Sequence, residues 1–198
     1  NAYMEMMLKK STENNINFVD EMQKSQLIVI KMPEAKFTTN AEKDIICTYF
    51  MTKVWLALQV RGDMYEDEAS GAKKVNLIID EIYQVNNCEK FLSLRLAQIA
   101  KFGMKPIISC HYINQILSLR PHLRSANASY MLVSGCDKTN YKELKEELRP
   151  FELEDLENLD RYHSMNYIKA GEGYARFITE LPEKVELRVN RKKKEKNN

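Results

Sequence analysis

Residues 75–85 read VNLIIDEIYQV, where the apolar run Leu77, Ile78 and Ile79 ends in two adjacent carboxylates, Asp80 and Glu81. Carboxylates are almost never fully buried without a partner. The pair therefore belongs at the C-terminal edge of a buried strand, where open α/β sheets keep their ligand crevices. A third titratable side chain falls in a comparable position. KPIISC, residues 105–110, is another apolar run, and His111 follows it directly. Carboxylate oxygens accept hydrogen bonds and suit hard cations, while an imidazole changes charge near neutral pH. With both runs as successive parallel strands, Asp80 and His111 face one crevice. The plain alternative is a strand that ends in two solvated acids.

The elements that must hold these residues follow from hydrophobic periodicity and capping signals. Residues 1–20 are polar and asparagine-rich apart from Met4, Met6, Met7 and Leu8, which suits an N-terminal arm or short helix. QLIVIKM, residues 26–32, is the first strand candidate and stops at Pro33. Thr39 and Glu42 have the spacing of a capping box. A helix is expected from there to about Val60, with Ile46, Phe50, Val54 and Leu58 on one side, Trp55 in the core and Gly62 as its stop. Residues 62–74 read as a polar, acidic loop. Leu92, Leu96 and Ile99 stripe a second helix over 89–102, stopped by Gly103. YMLVSG, residues 130–135, is a further strand, followed by helices over 138–148 and 153–159. GYARFITE and KVELRVN alternate across LPE and read as a β-hairpin. Strand and helix alternate through the first 150 residues, which argues for βαβ crossovers and a mainly parallel sheet.

Composition sets the outer bounds. A chain of 198 residues, 44% hydrophobic and 29% charged, is long enough for one substantial core. No stretch approaches the roughly 18 consecutive apolar residues of a membrane span, and no signal-peptide pattern is present. Cys47, Cys88, Cys110 and Cys136 are scattered without CxxC spacing, which suits reduced cysteines and suggests neither zinc nor disulfides. The net charge of +2 implies no nucleic acid by itself. The distribution is less even: residues 142–160 are mainly acidic, and the terminal RVNRKKKEKNN is strongly basic. Such a tail is either a solvated terminus or a contact for phosphates.

Together, VNLIIDEIYQV and LRLAQIAKFGMKPIISCHYINQI resemble the second half of the HerA/FtsK superfamily of P-loop motor ATPases. That superfamily includes conjugative coupling and secretion ATPases, FtsK-type translocases and some phage DNA-packaging ATPases. Its pattern is a Walker B strand with an acidic pair, a helix ending near a K-F-G-like turn, and a strand ending in a polar sensor. An acidic helical stretch and a closing hairpin come downstream, and GEGYARFITELPEKVELRV fits that hairpin. The resemblance spans residues 26–190 and implies a RecA-like α/β fold, a mainly parallel sheet flanked by helices, incomplete at its N-terminal end. It divides the chain into an arm at 1–20, the C-terminal part of an ATPase domain at 21–190 and a basic tail at 191–198.

By position, the resemblance implies that Asp80 holds Mg²⁺ through a water and contributes to ATP binding. Glu81 would polarise the attacking water. His111 stands at the sensor position, where many members carry Gln, and Asn114 and Gln115 just beyond it could substitute. Ring ATPases supply an arginine in trans to the neighbour's phosphates. Arg95 and Lys101 precede the sensor strand, although relatives with an R-K-F-G turn place Arg where this chain has Ala100; Arg120 and Arg124 are rivals. Arg191, Lys192, Lys193 and Lys194 would contact DNA phosphates. No GK[ST] triplet occurs, and the family places its phosphate loop upstream of QLIVIKM. The expectation is a truncated C-terminal portion, against a variant that never had the loop. The implied function is ATP-driven DNA translocation in packaging, conjugation or segregation, by a homo-oligomeric ring of five or six subunits. The implied setting is the cytoplasm of a bacterium or phage-infected host, with docking at a capsid portal or secretion channel. The alternative from another class is a non-catalytic P-loop-like scaffold.

Overall fold

The computed structural model describes residues 15–64 and 71–182, and the chain divides into two compact units, Asn1–Ala128 and Ser129–Asn198. The division falls inside the stretch expected to be one ATPase domain.

The first unit begins with a single helical turn, α1 (Phe18–Glu21), and continues into a long helix, α2 (Asn40–Met64). The Thr39 hydroxyl accepts the Glu42 N–H at 3.3 Å. The Glu42 carboxylate returns to the N–H of Thr38 at 2.7 Å, one residue earlier than a capping box requires. Ile46, Val54 and Leu58 are buried along one side as expected, with Met51 and Trp55, while Phe50 is half-buried. Gly62 does not end this helix: a Cβ there would sit 3.1 Å from the Phe102 ring, so the residue makes room for that side chain. Residues 26–32 form no strand. Leu27 and Val29 are 81% and 61% exposed, and strand propensity yields no strand where no neighbour pairs with it.

A parallel pair follows, β1 (Val75–Ile79) and β2 (Met104–Ile108), in register from Val75 opposite Met104 to Ile79 opposite Ile108. The connection holds α3 (Asn86–Ser93) and α4 (Leu96–Ile99), flanked by 3-10 turns at Ile82–Gln84 and Ala100–Phe102. One helix was expected here; the structure breaks it between Ser93 and Leu96. There the Ser93 hydroxyl donates to the Lys90 carbonyl at 2.8 Å and Arg95 Nη1 to the Phe91 carbonyl at 3.1 Å, competing for the helical ladder. Gly103, at φ 69°, ends the segment as expected.

Two buried acids do structural work. Asp44 on α2 accepts the N–H groups of Asn87 at 2.8 Å and Cys88 at 3.0 Å, capping α3 from a neighbouring helix. Glu89 accepts the N–H groups of Ser118 at 2.8 Å and Leu119 at 2.9 Å, fixing the chain just before α5 (Arg120–Leu123).

The second unit is a three-stranded antiparallel sheet with two helices. Its strands are β3 (Tyr130–Val133), β4 (His163–Ala170) and β5 (Gly173–Glu180), in the order β3-β4-β5. Between β3 and β4 run α6 (Lys138–Leu148) and α7 (Leu153–Glu157). Leu132, Tyr141, Leu144, Leu148, Leu156 and Met165 form its core. Asn166, 1% exposed, is satisfied by donating to the carbonyls of Ser164 at 3.0 Å and Phe177 at 3.3 Å.

The fold is therefore mixed α/β, but the described strands are not mainly parallel: one pairing is parallel and two are antiparallel. β3 joins the antiparallel set. GYARFITE forms a hairpin with the preceding HSMNYIKA. Residues Gly171 and Glu172 separate the two strands, and a two-residue connection permits only antiparallel pairing. Gly171 takes φ 58° at the first turn position, where hairpin turns favour glycine. KVELRVN, at 184–190, lies outside the described residues.

Candidate functional site

The parallel register brings the predicted acids and the imidazole to one edge. Because Ile79 and Ile108 are partners, Asp80 and Ser109 are the next residues out on each strand. Ser109 is bonded to both acids. Its hydroxyl donates to Asp80 Oδ1 and accepts the Glu81 N–H at 2.9 Å. Its backbone continues the ladder, donating to the Ile79 carbonyl at 3.1 Å and accepting the Ile82 N–H at 3.3 Å.

Glu81 sits in the left-handed region at φ 50°, ψ 47°. A side chain there costs energy and persists only where its surroundings hold it, a pattern that clusters at functional sites. Three side chains meet this carboxylate. Oε1 accepts the Tyr83 hydroxyl at 3.3 Å and lies 3.4 Å from His111 Nε2. Oε2 accepts from Gln84 Nε2. Gln84 is itself held by Lys43, which donates to Gln84 Oε1 at 2.9 Å from α2 and lies 3.5 Å from Glu34. The Tyr83 and His111 rings stand 5.5 Å apart at a tilt of 47°. Glu81 and His111 are 43% and 64% exposed in their side chains, so their contact is screened by water and contributes little to stability. The arrangement suits hydrogen-bond control of an exposed carboxylate.

Arg95 and Lys101 are not brought to this edge. Arg95 caps its own helix and stacks on Phe91, 3.6 Å from the ring centroid, with Trp55 at 5.6 Å. That is a packing role. Lys101 precedes β2, at the opposite end of a five-residue strand, which puts about 16 Å of sheet between it and the acids. Asn114 is exposed in the 3-10 turn after β2, and Gln115 accepts the Tyr112 N–H at 2.9 Å, which ties it to the same turn. Arg120 and Arg124 are exposed on and just after α5. Arg191, Lys192, Lys193 and Lys194 lie outside the described residues.

Ser109, Tyr83, Gln84 and Lys43 escaped sequence reasoning. Ser109 was legible in principle, as the residue opposite Asp80 once the two strands are aligned. Lys43 carried no signal, because it meets Gln84 only through the packing of α2. Near Lys43, an open depression of about 400 Å³ is lined by Glu34, Phe37, Thr38, Thr39, Asn40 and Lys43, and does not include the acids.

Among the described residues, no group of three or more His, Cys, Asp or Glu side chains could hold a metal, and no helix is long and apolar enough to cross a membrane. A lone exposed carboxylate fits Mg²⁺, which keeps several waters and takes one or two carboxylates plus phosphate oxygens. The phosphate cradle has no counterpart, since the sequence holds no GK[ST] triplet. No protein-family model matches the chain, and no curated protein or solved structure matches it either.

Proposed function

We propose that this chain carries the Walker B half of a RecA-like, DNA-translocating ring ATPase of the HerA/FtsK kind. The observation that supports the reading best is the meeting of Asp80, Glu81 and His111 at the C-terminal edge of two parallel strands, with Ser109 bonded to both acids. In this reading Asp80 holds a water of Mg²⁺, and the metal supplies charge neutralisation to the phosphates. Glu81 orients the attacking water and accepts its proton. His111, Tyr83 and Gln84 set the direction of that carboxylate, and Asn114 and Gln115 stand beyond as further polar groups. ATP is the cofactor, duplex or single-stranded DNA the cargo, and a pentameric or hexameric ring the assembly. Arg191, Lys192, Lys193 and Lys194 supply nonspecific phosphate contacts, so DNA binding weakens steeply with salt. The task is packaging, conjugation or segregation.

The test is ATP hydrolysis by the full-length protein, with and without DNA, comparing wild type with Glu81→Gln. The reading requires DNA-stimulated turnover that the substitution abolishes. The missing GK[ST] triplet favours a second reading, a non-catalytic scaffold on a P-loop-like fold. A folded, assembled protein without turnover in either form would select it.

A further inference from the structure

Four cysteines without pairing signals in the sequence do not stay apart in the fold. Cys47 on α2 and Cys88 on α3, 41 residues distant in sequence, place their sulfurs 3.2 Å apart in the core of the first unit. They are 8% and 0% exposed. No disulfide links them. Closing a bond of about 2.05 Å asks the two sulfurs to approach by about 1 Å. The surroundings already hold the two helices together at this point. Asp44, one turn before Cys47, accepts the backbone N–H of Cys88 itself and of Asn87.

We propose that Cys47 and Cys88 form a reversible intramolecular dithiol site, oxidised by a low-molecular-weight disulfide of the glutathione class. It is separate from the acidic edge and does not depend on the reading of that edge. The Cys47 thiolate attacks one sulfur of the small disulfide, whose S–S bond breaks and releases one small thiolate. The Cys88 thiolate then attacks Cys47 Sγ in the mixed disulfide, forming the Cys47–Cys88 bond and releasing the second small thiolate. Two protons leave the protein, and its two electrons reduce the reagent to two thiols. The order of attack follows from exposure: Cys47 keeps 8% of its surface open and Cys88 none, so a small disulfide reaches Cys47 first. The hydrogen bond with Cys88 draws the Cys47 thiol below its usual range, against burial and the Asp44 charge, and the same bond pushes the Cys88 thiol up, with burial adding to it. Cys136, by contrast, meets Asn140 Nδ2 at 3.1 Å and is pushed up chiefly by burial.

The test titrates the full chain with glutathione disulfide against glutathione, quenches in acid, alkylates under denaturing conditions and maps the peptides by mass. The expected result is a joined Cys47–Cys88 peptide two hydrogens lighter than the separate pair. Both thiols disappear together, both return with dithiothreitol, and the oxidised chain melts higher than the reduced one. Cys88→Ser should convert this outcome into a stable glutathione adduct on Cys47. The wild-type map decides the matter without that variant. A persistent glutathione adduct on wild-type Cys47 would overturn the proposal. So would full alkylation of Cys47 and Cys88 at the end of the titration.

Discussion

Replacing Asp44 tests the idea that one buried carboxylate holds α3 in place from another helix. Each of its oxygens takes one backbone amide, Oδ2 from Asn87 at 2.8 Å and Oδ1 from Cys88 at 3.0 Å. Asp44 is 5% exposed. A hydrogen bond to a charged group contributes about 1.5 to 3 kcal/mol net. Asp44→Ala removes both, with a longer one from the Thr48 hydroxyl at 3.4 Å, and leaves two helix-start amides without their acceptor, but water can enter the space the side chain vacates. The expected loss is therefore about 3 kcal/mol. Asp44→Asn keeps the shape but has one oxygen for two donors, and its NH₂ group faces the other N–H, so about 2 kcal/mol should be lost. The assay is urea unfolding followed by tryptophan fluorescence. Trp55 is the only tryptophan in the chain, and it is buried on the same helix, so the signal reports the first unit alone. The midpoint should fall in the order wild type, Asn, Ala, with the slope unchanged. An Ala variant within about 1 kcal/mol of wild type would refute the reasoning, since the carboxylate would then hold α3 no better than water does.

Three further outcomes are expected. Ser109→Ala removes the group bonded to both acids and, if the site hydrolyses ATP, should lower kcat about ten- to hundredfold with folding unchanged, read by a turnover assay. Gly171→Val forces a β-branched side chain to φ 58° at the β4–β5 turn and should cost about 1 to 2 kcal/mol, measured by thermal denaturation. Asp137 accepts the Thr139 N–H at 2.7 Å at the start of α6, and its hydrogen bonds with Thr139 hold its carboxyl below the ordinary value. The ionised form is thus favoured on folding. Its contribution is complete above the unfolded-state pKa and disappears as the pH falls through the lower folded-state value. An acid titration of helicity by circular dichroism should show that component in wild type and lose it in Asp137→Ala.

Local signals were legible where local physics decides. α6 has the expected bounds, and local physics explains them: Asp137 caps it and Tyr141, Leu144 and Leu148 recur on one face. The ends of β1 and β2 were legible because apolar runs stop at Asp80 and near His111. What the sequence hid depends on partners. QLIVIKM has the composition of a strand, yet a strand exists only through a neighbour's hydrogen bonds. GYARFITE alternates, but alternation alone does not name a neighbour. The tight Gly171–Glu172 connection was the signal for its pairing with HSMNYIKA. The direction of β3 was hidden for the same reason, since its pairing with β4 is set 30 residues downstream. At the site, the types and edge position of Asp80, Glu81 and His111 could be read. The supports of Glu81 could not, because Gln84 and Lys43 meet only after α2 packs.

The Ser109 hydroxyl has a consequence for how the acidic edge can fail. It carries one proton, directed to Asp80, while its oxygen takes the amide of Glu81. Alternate residues of a strand point to opposite faces, so a slip of β2 by one residue would turn this hydroxyl away from both acids at once. The Asp80 carboxylate and the Glu81 backbone are thus placed by one hydroxyl, whereas the Glu81 carboxylate answers to Tyr83, Gln84 and His111.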